Sequence, residues 1–296
     1  MDKNLLTFLI VAETENITAA AERLNITQPT LTKRLQQLEI AYASKLFERQ
    51  PRGVKLTQFG IQLLPHAKRI EHAYLQAQEE LAALQSGHLE ELRVGAGPLF
   101  HLRYLAPAFG ILRKEFPNTQ ISLMADVNSA NLPKLWRGHL DIVFGFSEHV
   151  EGGDQISFLN LTSVEVGLAI STSHPLAQKP AINVSELGDM QWTVYTDTPD
   201  NEDLVRAHFM SQGLAPPRFA IQSTSFALGL QMVADGDFIM PMPIQLREIV
   251  NSDKVSIVRT SPPISHRSSG AYVRHSSLQY PIVSRLIEIV KEAADN

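Results

Sequence analysis

Apolar residues in the first part of the chain recur at helical spacing, and capping and turn residues separate the runs. Leu5, Leu6, Leu9 and Ala12 place one face of a helix over residues 3–14 toward a core, with Phe8 directed to a second surface. Thr18 is the expected N-cap of a short helix from Ala19 to Leu24, and Asn25-Ile26 supplies a turn. Thr27 then caps the next helix, in which Pro29 comes early enough that its missing N–H costs little. Leu31, Leu35 and Leu38 form that helix's buried stripe. Leu46-Phe47, the turn Arg49-Gln50-Pro51-Arg52-Gly53 and the alternating Val54-Lys55-Leu56 predict a two-stranded hairpin. Thr57 caps a long helix to about Gln85, where Phe59, Leu63, Ala67, Ile70, Tyr74, Ala77, Leu81 and Leu84 step by threes and fours. That is close to a coiled-coil seam, and a helix of that length wants a partner helix. Pro65 predicts a kink within it, and Ser86-Gly87-His88 an end and a hinge.

From Leu92 the pattern changes. Strands are predicted at Leu92–Ala96, Ile121–Ala125 and Leu140–Phe146, separated by helices at Leu99–Phe116 and Asn131–Arg137. A second unit follows: strands Val164–Ser171, Gln191–Tyr195, Arg218–Gln222 and Phe238–Pro241, with helices Glu202–Gln212 and Ser225–Asp235. Strands Val255–Arg259 and Gly270–Arg274 and a helix from Tyr280 to Ala293 complete the chain. The alternation predicts parallel sheet with crossover helices. The chain begins one α/β lobe, leaves for a second and returns, with crossings near Leu161–Val164 and Thr260–Ser265 and a cleft between the lobes. The expected class is therefore α+β multidomain: residues 1–58 a winged helix-turn-helix, 59–88 a linker helix that forms a dimer, and 89–296 a two-lobed α/β domain. Lobe I takes about 89–162 and 266–296, and lobe II about 163–265.

Composition narrows the chemistry. The 296 residues include no cysteine, which excludes disulfides, thiolate metal sites and cysteine nucleophiles and fits a reducing cytoplasm. No apolar run reaches the length of a membrane span, and MDKNLLTFLIVAETEN lacks the features of a signal peptide. Net charge is −5, unevenly spread: residues 1–60 hold eight Lys/Arg against six Asp/Glu, a balance of +2, which leaves −7 on the rest. The cations of the first segment cluster between Lys33 and Lys55, the local footprint that nucleic-acid binding needs. No HExxH, GxSxG, Walker loop or complete GxGxxG stands in a suitable context, and no enzyme activity, cofactor or metal is expected.

The polar face of the second short helix carries the chemistry. Thr27, Gln28, Thr30, Thr32, Lys33, Arg34, Gln36 and Gln37 lie on or beside the side opposite the leucines. Amides can pair with adenine edges, hydroxyls with bases or phosphates, and cations with phosphates or guanine. A helix-turn-helix places such a helix in the major groove, N-terminus first. The segment resembles the winged helix-turn-helix of the LysR-type transcriptional regulators in Ala20-Ala21, Leu24, Gln28-Pro29, Leu38-Glu39, Leu46-Phe47-Glu48-Arg49, Leu56-Thr57 and Gly60. Further matches are Phe116-Pro117, Leu140-Asp141-Ile142, Ser173-His174-Pro175-Leu176-Ala177 and Val233-Ala234-Asp235-Gly236, so the resemblance covers nearly the whole chain. It implies that Gln28, Pro29, Thr32 and Lys33 meet bases or adjacent phosphates, and that Arg49 and Arg52 of the wing hold the backbone or reach a minor groove. Where the family often has Ser-Arg, this chain has Thr32-Lys33, and lysine lacks the planar two-pronged contact of arginine.

The resemblance further implies a lobed effector domain like periplasmic binding proteins, a small-molecule effector, a homodimer through the long helix and a homotetramer. Double-stranded operator DNA is the main partner, RNA polymerase a candidate one, and the location cytoplasmic, in the bacterial nucleoid. Ligands of open α/β sheets meet strand ends and helix N-termini. That points to Leu99, Phe100 and His101 after the first strand, Asn128 after the second, Tyr195 and Thr196 at the second lobe, and Ser223, Thr224 and Phe226. Ser223 or Thr224 is the expected N-cap there, with free amides for a carboxylate. Phe144 and Phe146 would wall the cleft. His101 is either a ligand or proton contact or simply a helix N-terminal residue, and His174 belongs to a surface loop. The rival reading is a solute-binding receptor whose N-terminal domain is only an interaction module.

Overall fold

The computed structural model describes residues 1–295 apart from 52, 87–88, 149–154, 189, 197–199 and 237, and only the backbone of 79, 80, 83–86 and 200. Arg52, Gly87, His88, Asp197, Thr198 and the Leu84 side chain therefore lie outside the described residues. Contacts divide the chain into Met1–Gly87 and His88–Asn296, each with its own core.

In the first unit, α1 spans Lys3–Thr14 and is capped by Asp2, whose carboxylate accepts from the amides of Asn4 and Leu5. Phe8 is fully buried and meets the Phe47 ring at 5.4 Å, so it belongs to the core and not to a second surface. The reason is that α1 is enclosed by α2 and α3 on more than one side, so its apolar arc is wider than a single stripe. α2 runs Ile17–Arg23 and is capped by Asn16 instead of Thr18: the Asn16 Oδ1 accepts from the Thr18 and Ala19 amides at 2.9 and 3.2 Å. α3 is Gln28–Ala41, capped by Thr27 as expected, with Leu31, Leu35 and Leu38 buried. β1 (Phe47–Gln50) and β2 (Gly53–Leu56) pair antiparallel with Gln50 opposite Gly53.

α4 is Gln58–Ser86 and contains Pro65. Leu63, Leu64 and Ala67 pack into the unit's own core, which corrects the expectation of one continuous seam. Beyond them Ile70, Tyr74, Ala77 and Leu81 remain exposed, as do Phe59, Ile61 and Leu75 off the core-facing side.

In the second unit, β3 (Glu91–Ala96) leads into a π-helical turn, Phe100–Leu105, and then α5 (Ala106–Glu115). β4 (Gln120–Ala125), α6 (Asn128–Trp136) and β5 (Ile142–Phe146) complete the first pass. β6 (Ile156–Ser171) crosses to the second lobe, which holds β7 (Ala181–Asn183), β8 (Gln191–Tyr195), α7 (Asp200–Ser211), β9 (Phe219–Ser223), α8 (Phe226–Ala234), β10 (Phe238–Pro243), α9 (Arg247–Val250) and β11 (Val255–Ser261). β12 (Ser265–Arg274) returns, and α10 (Pro281–Asp295) closes lobe I.

Among the described residues the strands join in one mixed sheet, in order β4-β3-β5-β12-β6-β10-β8-β9, with β11 beside β6 and β7. β3 is parallel to β4 and β5, and β8 to β9 and β10, as the alternation predicts. The crossing strands break that pattern. β6 and β12 are antiparallel over ten partners from Ser265 opposite Val166 to Arg274 opposite Ile156, and both are longer than their apolar runs suggest. A register shift falls at Ser269/Gly270, where a Cβ on Gly270 would meet the Leu159 carbonyl at 1.9 Å. Only glycine lets the two backbones approach so closely.

Lobe I is also tied by Asp141, buried at the foot of β5. Its carboxylate accepts from the Arg93 amide and guanidinium and from Arg274 Nη2 at 2.8 Å. Lobe I touches lobe II through Arg103, whose Nη1 donates to the Gln245 carbonyl at 2.6 Å and to Glu248 at 3.1 Å. Lobe II buries Trp192 between Phe209 and Phe219.

Candidate nucleic-acid interface and ligand cleft

The polar face of α3 is built by its own capping and stripe. Burial of Leu31, Leu35 and Leu38 turns Gln28, Pro29, Thr30, Lys33, Gln36 and Gln37 to solvent, with Thr32 and Arg34 half-buried at its edges. Thr27 is exposed, and its hydroxyl lies 2.9 Å from that of Thr30. The Gln28 amide donates to Thr18 Oγ1 at 2.9 Å, so the residue expected to cap α2 instead orients the first side chain of α3. The two segments on either side of the turn thus share one polar edge.

The wing is fixed against the same unit. The Val54 amide donates to the Glu15 carbonyl at 2.9 Å, and a Cβ on Gly53 would meet that carbonyl at 2.3 Å. Arg49 stands exposed on β1. Below the wing Glu39 ties α3 to the β1 entry: its carboxylate accepts from Lys45 Nζ at 2.6 Å and from the Leu46 amide at 2.9 Å. Burial raises the Glu39 pKa, but Lys45 and the amides of Leu46 and Phe47 outweigh it and hold the group below its ordinary value. The exposed cations Lys33, Lys45, Arg49 and Lys55 can meet a polyanion, and the amides and hydroxyls between them can read base edges.

A cleft lies between the lobes of the second unit. Its walls include Leu99, Phe100, Val194, Leu204, Phe226 and Ile264, so most of its surface is apolar. Of the residues singled out from the sequence, it brings together Leu99, Phe100, Asn128, Tyr195, Thr196, Phe226 and Phe146. Asn128 donates its amide to the Phe146 carbonyl at 2.9 Å, and Tyr195 meets the Phe226 ring edge-on at 5.8 Å. Leu99 and Phe100 stand at the start of the π-helical turn, a distortion frequent at functional sites.

Four expected residues lie off the cleft. Phe144 shares its face of β5 with Phe146, two residues on, but it is fully buried under the Phe100 ring at 5.3 Å, and Phe146 at the strand end lines the cleft. His101 turns back toward the Ala96 carbonyl, 3.5 Å from its Nδ1, and burial lowers its pKa against the influence of the Ala96 and Gly97 backbone. Ser223 spends its hydroxyl on the Ser225 amide and its carbonyl on the Thr196 amide. Thr224 is exposed, and the cap of α8 is Ser225, whose hydroxyl accepts from the Leu228 amide. His174 caps a short 3₁₀ turn at Pro175–Gln178.

The cleft also holds residues that the sequence did not point to. Arg267 of β12 lines it with its side chain 15% exposed. Its guanidinium lies 4.4 Å over the Phe146 ring, donates to Asn201 Oδ1 at 3.1 Å, and comes within 3.7 Å of Glu148. Ser265, Arg267 and Ser269 all line the cleft, the period-two signature of a strand face. No helix of the described residues is long and apolar enough to cross a membrane.

Comparison with known proteins matches both units of the chain. The family described as "Bacterial regulatory helix-turn-helix protein, lysR family" matches residues 3–61, and "LysR substrate binding domain" matches residues 85–295. The chain is 27% identical to the transcriptional regulator GbpR of Azospirillum brasilense over 240 residues, 80% of this chain and 70% of that one. It is 25% identical to PcaQ of Agrobacterium fabrum over 297 residues, 99% and 94% of the two chains. In fold it is similar to full-length CbnR complexed with its target DNA, with a TM-score of 0.69 at 23% identity over 99% of this chain and 100% of that one. With a helix-turn-helix that bares its amides and cations and a two-lobed domain with a cleft at its centre, the chain belongs to the LysR family of DNA-binding transcriptional regulators.

Proposed function

We propose that α3 enters the major groove of an operator from its N-terminus and that a small molecule in the lobe cleft controls the regulator. Thr27, Gln28, Pro29, Thr30, Thr32 and Lys33 would meet bases or the phosphates beside them, while Arg34 and Gln36 would meet the flanking backbone. Arg49 and, from the sequence alone, Arg52 would hold the backbone at the wing. Exposure of the α3 polar face, with its leucines turned inward, is the single observation that carries this reading. The CbnR structure with target DNA supports it by analogy of fold.

The exposed part of α4 would pair with a second copy and set the distance between two recognition helices, and hence between half-sites. Two such dimers would make a tetramer. The location would be the cytoplasm, in the nucleoid, with RNA polymerase as a further partner. Leu99, Phe100, Asn128, Tyr195, Thr196 and Phe226 would line the effector's seat, which places His101, Phe144, Ser223 and Thr224 in supporting roles. A bound effector would alter half-site spacing or DNA bending and leave α3 itself unchanged.

The test is footprinting on operators recovered from the source genome. Lys33→Ala should weaken specific binding and lower the slope of log affinity against log salt by about one, as loss of one phosphate contact requires. Retention of full operator affinity in Lys33→Ala, Arg34→Ala and Gln28→Ala alike would overturn the assignment of α3.

A further inference from the structure

We propose that the cleft takes an organic anion with an apolar body and a single acidic group, and that Arg267 receives the acid. The inference rests on the reading of the cleft as the effector's seat and names the chemistry it accepts.

Among the described residues lining the cleft, Arg267 is the only lysine or arginine. It does not sit at the rim: its side chain is 15% exposed, on the strand that crosses between the lobes. The Phe146 ring at 4.4 Å holds the plane of the guanidinium, and the Asn201 Oδ1 at 3.1 Å holds one edge. Phe146 follows from lobe I and Asn201 from lobe II, so the cation is oriented by both walls. A planar, weakly hydrated cation with fixed orientation suits a carboxylate, which can accept from two of its nitrogens at once.

Among the described lining residues Glu148 is the acid, and its Oε1 stands 3.7 Å from Arg267 Nη2. A charge-assisted N–O hydrogen bond is about 2.7–2.9 Å long, so a ligand carboxylate at bonding distance would sit closer to the guanidinium than Glu148 does. Glu148 then acts as a gate on charge, since any bound anion must share the cation with it. The apolar part of the wall disfavours a second charge placed against it. Leu99, Val194, Leu204, Phe226 and Ile264 offer nothing to compensate its desolvation, but they do cover a hydrocarbon body.

The experiment is isothermal titration of the full-length protein with matched acids and amides: 3-phenylpropanoate against 3-phenylpropanamide, and octanoate against octanamide. The wild type should bind at least one acid about tenfold or more tighter than its amide, as a hydrogen bond to a charged group gives. Arg267→Gln should bring that ratio to about one with amide affinity held. Glu148→Gln should raise acid affinity about threefold and leave the amides unmoved, which decides the matter even where the arginine variant fails to fold. Leu204→Trp, which fills the cleft, should weaken acid and amide alike. Amides binding as well as acids, an acid preference that survives Arg267→Gln, or no gain in Glu148→Gln would overturn the anion class and leave the cleft reading in place. Failure of every acid and amide to bind would remove both.

Discussion

His208 shows how a single side chain sets a pH limit on this fold. It is buried on α7, and its Nε2 has no hydrogen-bond partner among the described residues. Burial lowers its pKa, so the folded protein keeps the ring neutral at pH values where the unfolded chain protonates it. The stability this contributes is in full above about pH 6.5 and is lost as pH falls through the folded-state pKa. The thermal midpoint of His208→Leu should therefore fall less than that of the wild type between about pH 7.5 and 5.5; parallel falls would refute the assignment. The same scale shows what the sequence could reveal of the cleft. Phe144 and Phe146 share one face of β5, so the strand pattern does not tell them apart; the Phe100 ring covers Phe144, and Phe146 at the strand end lines the cleft. Arg267 stayed hidden because Ser265-His266-Arg267-Ser268-Ser269 has no apolar residue and reads as loop. Its neighbours β5 and β6 make it a strand, and the clue would have been its alternate residues converging on one side. Asn16 and Thr18 are both capping types two positions apart, and Asn, the stronger N-cap of the two, takes the position.

Helix α4 contains two kinds of apolar position that look the same in sequence. Ala67 is buried in the core of its own unit, whereas Leu81 is 60% exposed. Replacing a surface residue changes monomer stability by about 0.5 kcal/mol at most, but a charge in a helix–helix seam prevents association. Leu81→Lys should therefore keep the thermal midpoint of the protein at low concentration and shift its sedimentation to a monomer. An unchanged oligomer would exclude the exposed stretch as an interface. Elements whose signal lies within a few residues were readable: α3 from its leucine stripe, the wing from its turn, β5 from its apolar run. The long strands β6 and β12 were half legible, since their polar halves are held by neighbours distant in sequence. The same cause made the sheet mixed where alternation alone predicts parallel pairing.

At the scale of the whole molecule, the two units have separate cores and separate charge balances, slightly basic before residue 60 and acidic after it. Units with their own cores unfold as separate steps unless something binds them together. Calorimetry should resolve two transitions, and a saturating cleft ligand should raise one of them by mass action; a single transition that shifts as a whole would contradict the division. The continuous hydrogen-bonded register of β6 with β12 also limits what the effector domain can do. Ten cross-strand partners span both lobes, so one lobe cannot slide along the other without breaking the ladder that joins them. A two-stranded ribbon does bend and twist, most easily at the irregularity beside Gly270. A ligand held in the cleft would therefore change the angle between the lobes more readily than their offset along the ribbon.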